Sequence, residues 1–119
     1  WFWGHEHRCT IFEERDKTFG LLARCIGHGG MPQNRRKTRH LPMAEEVPYS
    51  RAEWVRSPAQ TQTGNLLPAC VVLEGANTLI LGEEEKFSPH GYAVLVFNGP
   101  ELREEVRTAD GQVIYERML

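Results

Sequence analysis

The sequence predicts a mainly β protein in which antiparallel strands are joined by long loops. Short runs rich in β-branched and aromatic residues recur along the chain, and glycine and proline clusters separate them. Two turn signals typical of hairpins, Asn98-Gly99-Pro100 and Ala109-Asp110-Gly111, stand near the C-terminus. No stretch repeats apolar residues at the three- and four-residue spacing of a long amphipathic helix.

The first elements read as a strand end followed by a hairpin. The apolar run at residues 1–3 ends at Gly4, and Cys9–Phe12 is a short β-rich stretch. Residues 19–26 are apolar enough for a buried strand, with Gly20 as a possible bulge. Three glycines and a proline at 27–32 end this strand.

Residues 33–68 predict one long surface loop. The segment is rich in prolines and polar residues, and it begins with a basic run at 35–39. Residues 45–46 and 51–55 predict a helical turn at most, and Trp54 is expected to pin the loop to the core. The basic run has no interleaved aromatic residues, so we expect a solvated face rather than a nucleic-acid site.

The remaining chain predicts strands at 69–74, 78–81, 92–97, 102–108 and 113–115. The run at 92–97 is the strongest of these. Between 102 and 108 the pattern alternates, which places Leu102, Glu104, Val106 and Thr108 on one face.

Length and composition restrict the class of protein. The 119 residues suit a single domain, 1–119, or the C-terminal part of one. The net charge of -2 argues against a nucleic acid or a membrane as partner, and no apolar run reaches the ~20 residues of a membrane helix. Three cysteines without a repeated spacing favour reduced thiols in a cytoplasmic protein. The start at Trp1 suggests a processed chain or the tail of a longer one.

The chemistry-bearing feature is the pair His5 and His7. In an extended chain, side chains two residues apart point to the same side, so both imidazoles can face one metal site. Gly4 lacks a Cβ and allows a sharp turn or a close approach to an ion. Zinc usually takes three or four protein ligands, so further ligands must come from elsewhere.

These residues resemble a known family. Gly4-His5-Glu6-His7 resembles the Gly-His-x-His motif of calcineurin-like metallophosphoesterases. The stretches 24–32 and 91–115, in this order, resemble those of a bacterial subgroup of the family. The resemblance implies the C-terminal portion of a four-layer α/β/β/α sandwich, which would supply outer strands of one sheet.

The resemblance also implies an activity, the metal-dependent hydrolysis of a phosphoester by two divalent ions of Mn, Fe, Zn or Ni. His5 would bind one ion and His7 the other, and the metals would activate a bridging hydroxide. Apart from the resemblance, the predicted hairpin brings residues 25–30 back toward residues 5–9, so His28 in its glycine-rich turn is the candidate substrate-binding residue. The alternative is a glycine turn with an incidental histidine. The family's Asp-x-His, Gly-Asp-x-x-Asp and Gly-Asn-His-Asp/Glu motifs are absent. We therefore expect no catalytic residue here, an N-terminal part of the same domain as partner, and no activity of this chain alone.

Three alternatives stay open. His5 and His7 with Cys9 and Cys25 would make a His₂Cys₂ zinc site, although the usual Cys-x-x-Cys spacing is missing. A single-metal cupin is the second, carried by the histidine pair and by Pro89-His90-Gly91, but Val94 stands where its later metal ligand belongs. The third is a non-catalytic β-rich binding or structural module, in which the histidine pair is incidental.

Overall fold

The computed structural model describes residues 1–35, 45–47, 53–60 and 66–119, and it is mainly β with two sheets. In this part of the chain no helix is long and apolar enough to span a membrane. The prediction of a mainly β fold is therefore confirmed.

The first sheet has six strands in the order β1-β3-β2-β6-β5-β4. Their bounds are β1 Phe2–Trp3, β2 Cys9–Phe12, β3 Arg24–Ile26, β4 Glu45–Val47, β5 Glu53–Gln60 and β6 Leu66–Glu74. Only β1 and β3 pair in parallel, and the other neighbours pair antiparallel. The hairpin that the sequence predicts after the histidine pair is present as β2 and β3.

The second sheet is a meander of three strands in the order β7-β8-β9. Their bounds are β7 Gly91–Asn98, β8 Glu101–Thr108 and β9 Val113–Met118. Both predicted hairpin turns are present, and Gly99 (φ 58°) and Gly111 (φ 91°) adopt the left-handed backbone there.

The hydrophobic core lies between the two sheets. Its buried members are Cys9, Ile11, Trp54, Val71 and Leu73 from the first sheet and Val106, Ile114 and Tyr115 from the second. A register shift opposite Val106 and Arg107 lets the consecutive residues Ile114 and Tyr115 both enter the core. Trp54 is 1% exposed and donates its indole N–H to the Ile114 carbonyl at 3.3 Å, which agrees with the predicted pinning role.

A buried ion pair joins the sheets beside this core. Nε of Arg24 in β3 lies 2.6 Å from a carboxylate oxygen of Glu104 in β8, and neither side chain is more than 1% exposed. The Arg24 guanidinium also donates to the carbonyls of Phe12 and Ala23. These additional hydrogen bonds compensate part of the cost of removing the guanidinium from water.

Two predicted strands are shorter or missing. The strand predicted over 19–26 begins only at Arg24. Before it, the Asp16 carboxylate accepts the backbone N–H groups of Thr18, Phe19 and Leu21, so the chain turns there. The strand predicted at 78–81 is wrong. Residues 78–81 form turns instead, because the Asn77 side chain accepts the Leu79 N–H and donates to the Ser88 carbonyl.

The segment 33–68 contains strands where the sequence predicts a loop. β4 and β5 lie inside it, and β6 begins at Leu66. The helical turns predicted at 45–46 and 51–55 are therefore wrong wherever the structure describes these residues. Of the basic run 35–39, only Arg35 is described; it is buried and pairs with Glu85.

Candidate metal-binding loop

His5 and His7 lie on the turn that joins β1 to β2, and both are exposed. β1 and β2 flank β3 on opposite sides, and β1 runs parallel to β3. The chain from Gly4 to Arg8 must therefore cross over the end of β3. Residues 5–8 form a turn rather than the extended strand end that the sequence predicts, so the alternation expected for His5 and His7 is wrong.

Gly27 follows β3 directly and lies beneath this crossing. A Cβ at Gly27 would stand 2.4 Å from the Gly4 carbonyl oxygen and 3.0 Å from the His7 nitrogen, so only glycine fits. The Gly27 N–H donates to the Arg8 carbonyl at 2.9 Å. By contrast, a Cβ at Gly4 would have its nearest contact at 3.5 Å, which is an ordinary distance. The crowded glycine of the loop is thus Gly27 rather than Gly4.

The Glu6 side chain fixes the middle of the turn. One of its carboxylate oxygens accepts the Trp3 indole N–H and contacts the Cys25 thiol at 3.6 Å. Burial raises the pKa of the Glu6 carboxyl, but the hydrogen bonds from Trp3, the Glu6 backbone and Cys25 outweigh it and leave this pKa below its ordinary value. The carboxylate therefore ties the turn to β1 and β3.

The donor set fits part of a metal centre. The described residues hold no group of three or more His, Cys, Asp or Glu side chains able to bind a metal ion together. His5 and His7 suit two ligand positions, because imidazole is a common ligand of divalent transition metals and both rings are exposed. Two imidazoles do not complete a zinc sphere.

The cysteines near the loop do not complete a zinc coordination sphere either. Cys9 is 1% exposed in the core, and burial raises the pKa of its thiol far above the usual range. Burial also raises the pKa of Cys25, whose thiol contacts Glu6. Because a zinc ligand must be a thiolate, these surroundings disfavour the His₂Cys₂ alternative.

His28, the candidate substrate contact, is buried. Its ring is 2% exposed and packs against Gly91, where a Cβ would stand 2.7 Å from Nε2. Neither ring nitrogen has a hydrogen-bond partner among the described residues. Burial, with the neighbouring His90, lowers the pKa of His28 to about 4. Contact with a substrate stays a prediction, and it requires this ring to be uncovered.

A cavity that the sequence does not reveal lies between the end of β6 with its following turn and the turn that joins β8 to β9. It has a volume of about 560 Å³, and its walls include Glu74, Asn77, His90 and Asp110. No single motif predicts it, since its walls come from chain segments that only the fold brings together. Pro89-His90-Gly91 and Ala109-Asp110-Gly111 both contribute walls, but the sequence predicts only turns at these motifs.

Comparison of the chain with models of protein families, with curated proteins and with solved structures finds no match. The functional argument therefore depends on the geometry of the loop and on the resemblance of its motif.

Proposed function

We propose that this chain supplies the closing metal-ligand loop of a metal-dependent phosphoesterase, with His5 and His7 as ligands. The observation that carries the proposal is the turn over the end of β3. It presents two exposed imidazoles on a tightly supported backbone, and no core contact requires either ring. Exposed histidines on such a support are well suited to ligand binding.

The residues of the loop would have separate roles. His5 and His7 would each offer a ring nitrogen to one ion of a pair. Glu6 and Gly27 would hold the turn, through the Trp3 hydrogen bond and the close backbone contact respectively. When bound, such a metal pair polarises a phosphoester and supplies a nucleophilic hydroxide.

The other ligands would come from another part of the same protein. The resemblance places them in an N-terminal part of an α/β/β/α sandwich, to which the two sheets described here would belong. A cytoplasmic enzyme is consistent with the three cysteines, none of which is in a disulfide.

Turnover of a chromogenic phosphodiester with added Mn²⁺ tests the proposal on the protein that contains this chain. The variants His5→Asn and His7→Asn should each lower kcat/KM by at least about a hundredfold, since even outer partners of a metal ligand contribute 10–100-fold. Glu14→Gln is the matched control, because it removes an exposed carboxylate outside the loop.

The 119 residues alone should not turn over this substrate. Activity of the isolated chain would contradict the proposal, and so would full activity of both histidine variants.

A further inference from the structure

Among the strands that the structure describes, β7 lies at the edge of the second sheet, and its composition is unusual. Its eight residues, Gly91–Asn98, include no charged residue and no proline. It pairs with β8 in an uninterrupted register, and no bulge turns its edge away. Proteins normally protect such an edge with charges, prolines or bulges, because its free N–H and C=O groups bind other strands.

The side chains of β7 are apolar on both faces of the sheet. Tyr92, Val94 and Val96 lie on one face, and Ala93, Leu95 and Phe97 lie on the other. Tyr92 is 41% exposed and Phe97 is 72% exposed. A continuous apolar run is typical of a strand that lies inside a sheet rather than at its edge.

The hairpin geometry defines which backbone groups are outside. Asn98 and Glu101 flank a two-residue turn, and the residues that flank such a turn form a hydrogen-bonded pair. The Ala109 N–H donates to the His90 carbonyl at 3.1 Å, which agrees with this parity. Because hydrogen-bonded and non-hydrogen-bonded pairs alternate, Ala93, Leu95 and Phe97 point their N–H and C=O groups away from β8. Gly91 has the same parity, and its N–H donates outward to the His28 carbonyl at 3.3 Å.

We propose that β7 pairs antiparallel with β7 of a second copy of this chain, about a two-fold axis at Leu95. In this register each Ala93 faces a Phe97, so a small side chain lies beside a large one. Each Val94 likewise faces a Val96. No like charges meet across the axis, and the two three-stranded sheets join into one continuous sheet.

The identical copy satisfies these requirements without any other partner. The outward residues 93, 95 and 97 pair with 97, 95 and 93 of the copy, and each pair exchanges two backbone hydrogen bonds. The interface is isologous and closes at two copies, so the exposed apolar edge does not extend into a fibre.

Sedimentation equilibrium of the full chain tests this pairing with two charged variants. Val94→Lys stands opposite Glu105 of β8, and Val96→Glu stands opposite Arg103, so each new charge has an opposite charge within its own chain. Each variant should raise the dimer dissociation constant at least about tenfold, because its charge faces valine in the copy.

An equimolar mixture of the two variants should restore the dimer, since the introduced lysine of one chain faces the introduced glutamate of the other only in this register. Leu95→Pro removes an outward N–H without touching the β8 ladder and should leave a folded monomer. A monomeric wild-type chain, assemblies that grow beyond two copies, or variants that dimerise as well as wild type would each overturn the proposal.

Discussion

Replacing Gly27 with alanine places a methyl group against the backbone of the candidate metal-binding loop. The new Cβ would lie 2.4 Å from the Gly4 carbonyl oxygen and 2.8 Å from its carbon. Both are backbone atoms, so no side-chain rotation relieves the overlap. The chain must shift, and overpacking of this kind costs about 1–3 kcal/mol.

Urea denaturation of Gly27→Ala measures this cost as a change in the free energy of unfolding. Gly30→Ala is the matched control, because a Cβ added at Gly30 would meet no atom within 4 Å and the φ of this residue is not left-handed. We expect Gly30→Ala to stay within about 0.5 kcal/mol of wild type. Equal stability of the two variants would refute the close crossing of the loop over β3.

The remaining predictions concern buried charge and pH. Glu104→Gln should destabilise the fold by about 3–5 kcal/mol, because it leaves the Arg24 guanidinium buried without its carboxylate; the double variant Arg24→Met/Glu104→Leu should recover most of this loss in the same denaturation assay. The pKa of His28 in the folded protein lies below its unfolded value, so protonation of this ring favours the unfolded state. The stabilising effect of the neutral ring is fully present above about pH 6.5 and is lost as the pH falls toward 4. The difference between 6.5 and about 4 corresponds to a loss of about 3 kcal/mol. His28→Gln should flatten the stability profile over this range, and an unchanged profile would contradict the buried neutral ring beside His90.

Local turn chemistry explains why the second sheet is predictable from the sequence. The turns after β7 and β8 need left-handed backbone, and Gly99 and Gly111 provide it close to the strand ends. The alternation in β8 likewise places Glu104 and Val106 on one face, although it does not predict that Glu105 on the other face is buried too. These signals depend on residues adjacent in the chain.

The missed elements depend on strand pairing and on side-chain hydrogen bonds that the apolar pattern does not show. β5 contains Pro58, which disfavours a strand locally, but the pairing of β5 with β6 overrides this preference. The apolar run at 78–81 resembles a strand, but the Asn77 side chain organises a turn instead. No local pattern distinguishes these outcomes.

The residues of the candidate site also differ in whether the sequence predicts their role. The sequence predicts His5 and His7 as an exposed pair, but the extended backbone that it predicts for them is wrong. The role of Gly27 needs the strand order β1-β3-β2, and the burial of His28 needs the start of β7 to pack on its ring. Neither contact is visible before the chain is folded.

The metal content of the protein that contains this chain tests the central claim most directly. After loading with Mn²⁺ or Zn²⁺ and removal of free metal, elemental analysis should find two ions per chain. The His5→Asn/His7→Asn variant should lose at least one of them, while Glu14→Gln should keep both. A single ion would favour the cupin or structural zinc alternative, no bound ion would favour a non-catalytic module, and either result would contradict the proposed function.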